Sequence, residues 1–291
     1  MALAPNPRAV VTGGGSGLGR AFSVALGKRG ARVLVTDVNV DNAEETAELV
    51  RAAGGTAAVV RCDVSKKEEV YSLPETMKSR FGGTDVVFNN AGVAAGGPVH
   101  EIPLEDWEWL LGINLWGVVY GTLAFLPHFR AQRSGHYVNI ASAAGLICSP
   151  RLAPYNVSKA GVVALSETLC AELAPEGIGV SVLCPTFIRT NIHRDSRSRG
   201  EGTREMGDRL MARAKKTPEE IAEITLRGVD RNDLYIVPHQ DGLWAWRLKR
   251  ADPEGFYKRV VPAAQKNAEK GPVAETGSIL TNLTNLIRKR G

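Results

Sequence analysis

The sequence predicts an α/β chain built on a doubly wound, mostly parallel seven-stranded sheet with helices on both faces. Three observations predict it. Short runs of Val, Ile and Leu without polar alternation recur along the chain, as strands buried on both faces require. Longer segments with helical spacing follow them, and strand–helix alternation implies right-handed crossovers in a parallel sheet. The first apolar run leads directly into a glycine-rich turn, "TGGGSGLG" (12–19).

Taken in order, "RAVVT" (8–12) is the first strand, followed by the glycine turn and a helix to about Arg29. "ARVLVTD" (31–37) precedes the acidic helix "DNAEETAELVRAAGG". "AAVVRCDV" (57–64) precedes a helix disturbed at Pro74, and "DVVFNNAG" (85–92) leads to a long helical region from about Leu104 to Gln132. "GHYVNIAS" (135–142), "GVSVLCP" (179–185) and "LYIVP" (234–238) complete the strands. Apolar residues at Val162, Val163, Leu165, Leu169 and Leu173 predict an amphipathic helix beginning near Pro154. Residues 1–240 then form one domain. Residues 241–291 read as a helical extension that packs on the core or on a partner subunit. Within it, Ile279, Leu280, Leu283, Leu286 and Ile287 recur at helical spacing, with membrane-surface anchoring as the sharper alternative.

Bulk properties exclude several classes. The 291 residues are 44% hydrophobic and 23% charged, enough apolar material for a large core. The net charge of +5 is spread along the chain, which argues against nucleic acid as a partner. Cys62, Cys148, Cys170 and Cys184 form no C-x-x-C pair and read as free thiols of a reducing, cytoplasmic setting. The five histidines show no ligand spacing, so no metal site is expected. The N-terminus lacks an apolar signal core, and no uninterrupted apolar stretch predicts a membrane span.

The glycine turn carries the first functional signal. Gly13, Gly17 and Gly19, with Ser16 and Leu18 between them, stand between a strand and a helix. Glycines there let the backbone approach a pyrophosphate at the helix N-terminus, where free N–H groups and the helix dipole favour negative charge. Asp37 follows Gly17 by 20 residues, the spacing of a ribose-binding carboxylate. A 2′-phosphate beside Asp37 would meet a like charge, at a cost of roughly 1–4 kcal/mol per charge pair. Val38 and Asn39 supply no offsetting cation, and Arg20 faces either the pyrophosphate or solvent. The expected cofactor is therefore NAD rather than NADP.

The second signal is "YNVSK". Tyr155 and Lys159 lie four residues apart near the start of a predicted helix and share a face. Alone the pattern is weak. Together with "CDV" at Asp63, "NNAG" (89–92), "NLWG" with Asn114, Ser142 thirteen residues before Tyr155, and "PTFIRT" (185–190), it falls in an ordered set over roughly residues 7–240. In that set the chain resembles the short-chain dehydrogenase/reductase family.

The resemblance implies a Rossmann-type fold and an NAD-dependent oxidoreductase interconverting a secondary alcohol and its ketone. It implies Tyr155 as general acid/base, Ser142 as the group that orients the substrate oxygen, and Asn114 as support for a water-linked proton path to Lys159. Lys159 is expected to bind the nicotinamide ribose and to lower the phenol's pKa. A positive charge about 4 Å away is worth about 4 kcal/mol at an effective dielectric near 20. Asp63 and Val64 would meet the adenine. Asn90, Ala91 and Gly92 would line the adenosine ribose, and Pro185, Ile188 and Thr190 the nicotinamide side. Members are usually homodimers or homotetramers, so a homo-oligomer is expected.

One position departs from the family pattern. Thr186 stands where the family commonly has glycine, and a β-branched residue disfavours positive φ. Either the local backbone is adjusted or the position never required glycine. Residues from about 190 to 216 occupy the place of the family's substrate lid, and their arginines either attract an anionic substrate or are merely solvated. Val93, Ala94, Ala95, Leu146, Ile147 and Phe187 suggest a lipophilic pocket. An NAD-using epimerase or dehydratase, and an NAD-binding sensor or scaffold without turnover, are the rival readings. Substrate identity is not encoded in these motifs, because many substrates share them.

Overall fold

The structure, a computed structural model, describes residues 3–189, 192, 196–200, 203–212 and 214–268. The chain begins β1 (Arg8–Thr12), α1 (Gly17–Gly27), β2 (Arg32–Asp37), α2 (Val40–Ala52), β3 (Thr56–Arg61), α3 (Lys67–Tyr71), α4 (Leu73–Phe81) and β4 (Val86–Asn89). A two-residue strand β5 (Ala95–Gly96) precedes α5 (Leu104–Leu111) and α6 (Gly117–Gln132). Then come β6 (Gly135–Ile140), α7 (Ala143–Ile147), α8 (Ala153–Leu173), β7 (Ile178–Leu183), β8 (Arg197–Ser198) and α9 (Thr203–Ala212). The described chain closes with α10 (Pro218–Asp230), β9 (Tyr235–Ile236), α11 (Gln240–Ala251) and α12 (Pro253–Ala268).

Seven strands pair in the order β3-β2-β1-β4-β6-β7-β9, and every pairing is parallel. The order reverses between β1 and β4, the switch point where open α/β sheets bind ligands. Both faces are covered, which is why the strands are apolar at successive positions. Ala9 and Val11 pack on one side with Phe22, Leu26 and Leu226, and Val10 on the other with Met77, Phe125 and Phe129. Tyr137 is fully buried in the second layer because its hydroxyl donates to Thr122 O at 2.9 Å.

Several strands end earlier than the apolar runs suggest. β3 stops at Arg61, β4 at Asn89, β6 at Ile140 and β7 at Leu183. The residues beyond turn off the sheet edge, and these are the segments that carry the predicted site residues. Pro74 divides its helix in two and sits in the first turn of α4, where its missing N–H costs nothing.

The long helical run is also interrupted. Between α5 and α6 the chain widens into a π turn over Gly112–Trp116. Leu104–Gln132 as a whole has the length and mean hydropathy, 1.6, of a membrane-crossing helix, with 44% of its most apolar window buried in the fold. The sequence expectation counted uninterrupted apolar residues, whereas the glycines and small polar residues here lower mean hydropathy only slightly. Leu110, Val118, Phe125 and Phe129 are buried, so much of that apolarity serves the core.

Beyond the last strand, Ala245 of α11 and Phe256 and Val260 of α12 join a third cluster with Leu146, Ile147, Val162 and Cys184. The predicted helix over 279–287 lies outside the described residues.

α7 is seated directly on the backbone of α8. A Cβ added at Gly145 would lie 2.5 Å from the Lys159 carbonyl carbon. Gly145→Ala is expected to destabilise the fold by about 1–3 kcal/mol and to lower Tm by about 2–4 °C per kcal/mol, read by calorimetry. An unchanged Tm would mean that the two helices are not so seated.

Candidate active site

The glycine turn forms a cradle at the end of β1. Gly13 adopts a left-handed φ of +61°, and a Cβ on it would lie 2.8 Å from Ala91 Cα. A Cβ on Gly19 would collide with the Gly13 carbonyl oxygen, so only glycine lets α1 begin this close to the strand. Ser16 is the N-cap residue, yet its side chain accepts no hydrogen bond from the first turn. Gly17, Leu18 and Gly19 thus start the helix without a side-chain cap, as an anion site at a helix N-terminus needs.

Neighbouring strands hold this turn in place. Thr12 Oγ1 accepts from the N–H groups of Asn90 (2.9 Å) and Ala91 (3.1 Å), and Asn90 Nδ2 donates to Thr12 O and Gly13 O at 2.7 and 3.1 Å. Asn90 is therefore a brace for the cradle as well as a candidate cofactor neighbour. Asp37 Oδ2 accepts from Gly15 N and Oδ1 from Asn39 N, both at 2.9 Å, which leaves a half-buried carboxylate at the end of β2. Arg20 faces neither the pyrophosphate position nor open solvent alone. It donates to Gly15 O at 2.7 Å and pairs with Glu45 at 2.9 Å, behind the loop. Asp63 Oδ1 accepts from both Ser65 N and Ser65 Oγ, and Val64 is buried against Gly117. These residues fit a dinucleotide: a close-approach glycine turn, an uncapped helix start and a carboxylate at the next strand end.

The four predicted catalytic side chains converge at the ends of β4 and β6. Asn114 sits in the π turn, a widening that recurs at functional sites. Its fully buried amide accepts from Val93 N at 2.8 Å and donates to Val93 O at 2.9 Å and to Ser158 Oγ at 3.3 Å. Gly92 lies between it and the lysine: a Cβ there would be 3.3 Å from Asn114 Oδ1 and 3.5 Å from Lys159 Nζ. Ser142 is the N-cap of α7, accepting from Ala144 N at 3.1 Å, and its hydroxyl faces Tyr155 closely enough to favour the phenolate. Tyr155 and Lys159 share a face of α8, with Nζ 5.8 Å from the phenol ring centroid.

The electrostatics differ from the sequence expectation. Lys159 Nζ donates to Ile140 O at 2.8 Å rather than to the phenol, and burial pulls its pKa down to about 8. The Tyr155 phenol is pushed above its ordinary value by burial, and the neighbouring Ser142 hydroxyl opposes this only in part. Lys159 therefore stands near the phenol ring with its hydrogen bond directed to a backbone carbonyl. Cys184, buried next to Lys159, is pushed up to about 12 by the same desolvation.

Other expectations are refined. Thr186 does not have a positive φ, so the backbone here accommodates a β-branched residue without left-handed strain. Ile188 points into the core beside Leu183 and Ile221, which leaves its backbone as the part that could face a ligand. Pro185 O accepts from Ala143 N at 2.8 Å, and Thr190 lies outside the described residues. Among the suggested pocket residues, Ala95, Leu146 and Ile147 are buried in packing, while Val93, Ala94 and Phe187 are half-buried. Of the lid arginines, Arg197 and Arg199 stay part-exposed but are not merely solvated. Both pair with buried Asp106, at 2.9 and 2.7 Å, and Arg197 also stacks on Trp109.

Sequence reasoning missed the polar layer beneath the site. Asn89 Nδ2 donates to Asn139 Oδ1 at 2.9 Å, Asn139 Nδ2 to Ser166 Oγ at 3.0 Å, and Ser166 to Val162 O at 2.7 Å, all buried. The one available signal was an asparagine inside the apolar run "YVNI".

The fold and site define an α/β dinucleotide-binding protein with a Ser–Tyr–Lys cluster at the sheet's carboxyl edge. Residues 7–201 match the model of the short chain dehydrogenase family. The C alpha-dehydrogenase of Sphingobium sp. strain SYK-6 is 32% identical over 275 residues, covering 87% of this chain and 90% of that protein. A crystal structure of a short chain dehydrogenase/reductase from Burkholderia phymatum in complex with NAD is similar at TM-score 0.81 and 34% identity, over 87% of this chain and 96% of that one. An alcohol dehydrogenase from the archaeon Thermococcus sibiricus, complexed with 5-hydroxy-NADP, is similar at TM-score 0.69 and 25% identity, over 79% and 95% of the two chains. The chain belongs to the short-chain dehydrogenase/reductase family and is an oxidoreductase of that family, with a nicotinamide cofactor.

The buried lysine has a pH signature. An unfolded lysine titrates near 10.4, whereas Lys159 in the fold titrates at about 8. Between these values the unfolded chain binds a proton that the folded chain does not, so stability rises with pH across that window. Relative to Lys159→Met, the wild-type protein should gain unfolding free energy from about pH 8 toward pH 10 and show a constant difference below pH 8. Urea titrations at each pH check this, and a flat difference throughout would mean the lysine is not desolvated.

Proposed function

We propose that this oxidoreductase uses NAD to interconvert a lipophilic secondary alcohol and its ketone, with Tyr155 as the general acid/base. The observation that carries the reading is the convergence of Ser142, Tyr155 and Lys159 beside a glycine cradle that ends at Asp37. When bound, the nicotinamide supplies the hydride acceptor or donor. Ser142 Oγ orients the substrate oxygen beside the phenol. A Tyr155 held above its ordinary pKa is neutral at pH 7, which suits it to donate a proton to a carbonyl oxygen in the reductive direction. In the oxidative direction the phenol must accept the alcohol proton as phenolate. Lys159, near the ring, is the cation of this chain that favours that form.

Half-buried Val93, Ala94 and Phe187 beside these groups favour an apolar substrate, and two similar proteins, a C alpha-dehydrogenase and an alcohol dehydrogenase, agree with alcohol chemistry. Asp37 favours NAD over NADP, because a 2′-phosphate would meet its like charge, while Arg20 is engaged by Gly15 O and Glu45. We also propose a homo-oligomer, supported by Trp116 and Leu123, one heptad apart and both half-exposed, and by Val157 of α8, likewise half-exposed. Four cysteines without a disulfide, two of them buried, are consistent with a reducing cytoplasm.

Absorbance at 340 nm with NAD and a panel of secondary alcohols, sterols and long-chain alcohols is the direct test. Tyr155→Phe should keep NADH binding, seen by fluorescence, and lose at least about 10²-fold in rate; near-normal turnover would remove Tyr155 from the acid/base role. Asp37→Ala should narrow the NAD-over-NADP preference at least about tenfold. Trp116→Glu with Leu123→Glu should yield monomers in light scattering, and an unchanged assembly would place the interface elsewhere.

A further inference from the structure

The turn after β7 is tied to the catalytic serine and, in the opposite direction, to His239, the residue that opens α11. The Pro185–Thr186 peptide unit is held at both ends. Its carbonyl oxygen accepts from Ala143 N at 2.8 Å and from Ser142 Oγ at 3.4 Å. Its N–H donates to His239 Nδ1 at 3.2 Å. His239 is the N-cap of α11 and is 7% exposed. The N-terminus of α11 sits against the same peptide: a Cβ added at Gly242 would lie 2.8 Å from Thr186 Cγ2 and 3.7 Å from Ala143 Cβ. At the far end of α7, Lys249 of α11 donates to Leu146 O at 2.9 Å. One helix of the extension therefore grips both ends of the short helix whose N-cap is Ser142.

We infer that His239 is a positioning residue for Ser142: its unprotonated Nδ1 anchors the 185–186 peptide, and that peptide's carbonyl, by accepting from Ala143 N, fixes the start of α7 and with it the place of the serine hydroxyl, whose one proton turns from Pro185 O to the substrate oxygen. The inference rests on the reading of Ser142 as the group that orients the substrate oxygen.

The chemistry requires this tautomer. An imidazole nitrogen that accepts from a backbone N–H carries no proton, so in the neutral ring the proton is on Nε2. Nε2 is buried with no hydrogen-bond partner among the described residues. An imidazolium would turn Nδ1 into a donor facing the Thr186 donor and bury a charge without a partner. Desolvation accordingly holds the ring below its ordinary pKa; Asp241 and Glu220 act in the opposite direction and Lys216 in the same one. Thr186 fits the arrangement: its Cγ2 packs on Gly242 where the family's glycine would leave a gap. A hydrogen bond accepted at one end of a peptide and donated at the other reinforces both.

The test compares His239→Ala, His239→Asn, His239→Gln and Ser142→Ala in the full chain. Asparagine places Oδ1 where Nδ1 was and keeps the acceptor; glutamine places its amide near Nε2 and does not. With 1-phenylethanol and NAD, H239A and H239Q should lose at least about tenfold in kcat while the Kd for NADH, read by fluorescence, stays within twofold. H239N should recover most of the loss. Deuterium exchange of the backbone over 141–147 and 184–188 should rise in H239A and H239Q and return in H239N, with β1 to β3 unchanged. If the wild-type protein does not turn over 1-phenylethanol, the exchange pattern decides alone. Should H239A fail to fold, the contrast between H239N and H239Q carries the test. Wild-type kcat or exchange in H239A, or an H239N as impaired as H239Q, overturns the inference. Loss of activity in S142A with normal H239A sinks only the positioning role, whereas an S142A as fast as wild type sinks the reading of Ser142 on which it rests.

Discussion

The site depends on one buried contact, the ammonium of Lys159 donating to the carbonyl of Ile140, the last residue of β6. A lysine cannot be taken out of water without a partner, and the end of a parallel strand offers a carbonyl with no further strand to bond. That contact fixes α8 against the sheet edge. It thereby places Tyr155 one turn earlier on the same face, opposite Ser142 at the start of α7. Gly145 of α7 in turn rests on the Lys159 backbone, so the two helices that carry the cluster are seated on each other.

Desolvation also sets the resting state of the cluster. The same burial that orders these side chains lowers the lysine, raises the phenol and raises Cys184. The resting site thus keeps a neutral phenol beside a lysine that titrates at about 8. The polar ladder of Asn89, Asn139 and Ser166 lies beneath this region and joins the sheet to α8 by buried hydrogen bonds, with Asn89 Oδ1 left without a partner among the described residues.

Substrate-side elements are held by different means. The small sheet β5–β8 is closed by a buried carboxylate, Asp106, gripping Arg197 and Arg199. A charge pair of this kind is costly to break from one side, since it leaves Asp106 buried alone. The C-terminal helices close the opposite side through apolar packing around Phe256 and Val260 and through the contacts of His239 and Lys249.

Much of this was legible in the residues. Continuous apolar strands reveal a sheet covered on both faces, because each side chain direction must be apolar. Glycines at 13 and 19 reveal the cradle, because no other residue tolerates those approaches. The spacing of Tyr155 and Lys159 places them on one face, because the helix period dictates it. What the tertiary structure alone decided is where charges point and what they cost. Arg20 turned behind the loop, Lys159 chose a carbonyl over the phenol, and Arg197 and Arg199, still part-exposed, converged on Asp106. Local spacing specifies which residues share a face. Partner choice and desolvation depend on atoms brought together from distant parts of the chain, as His239 and Thr186 are across 53 residues, and no local pattern encodes them.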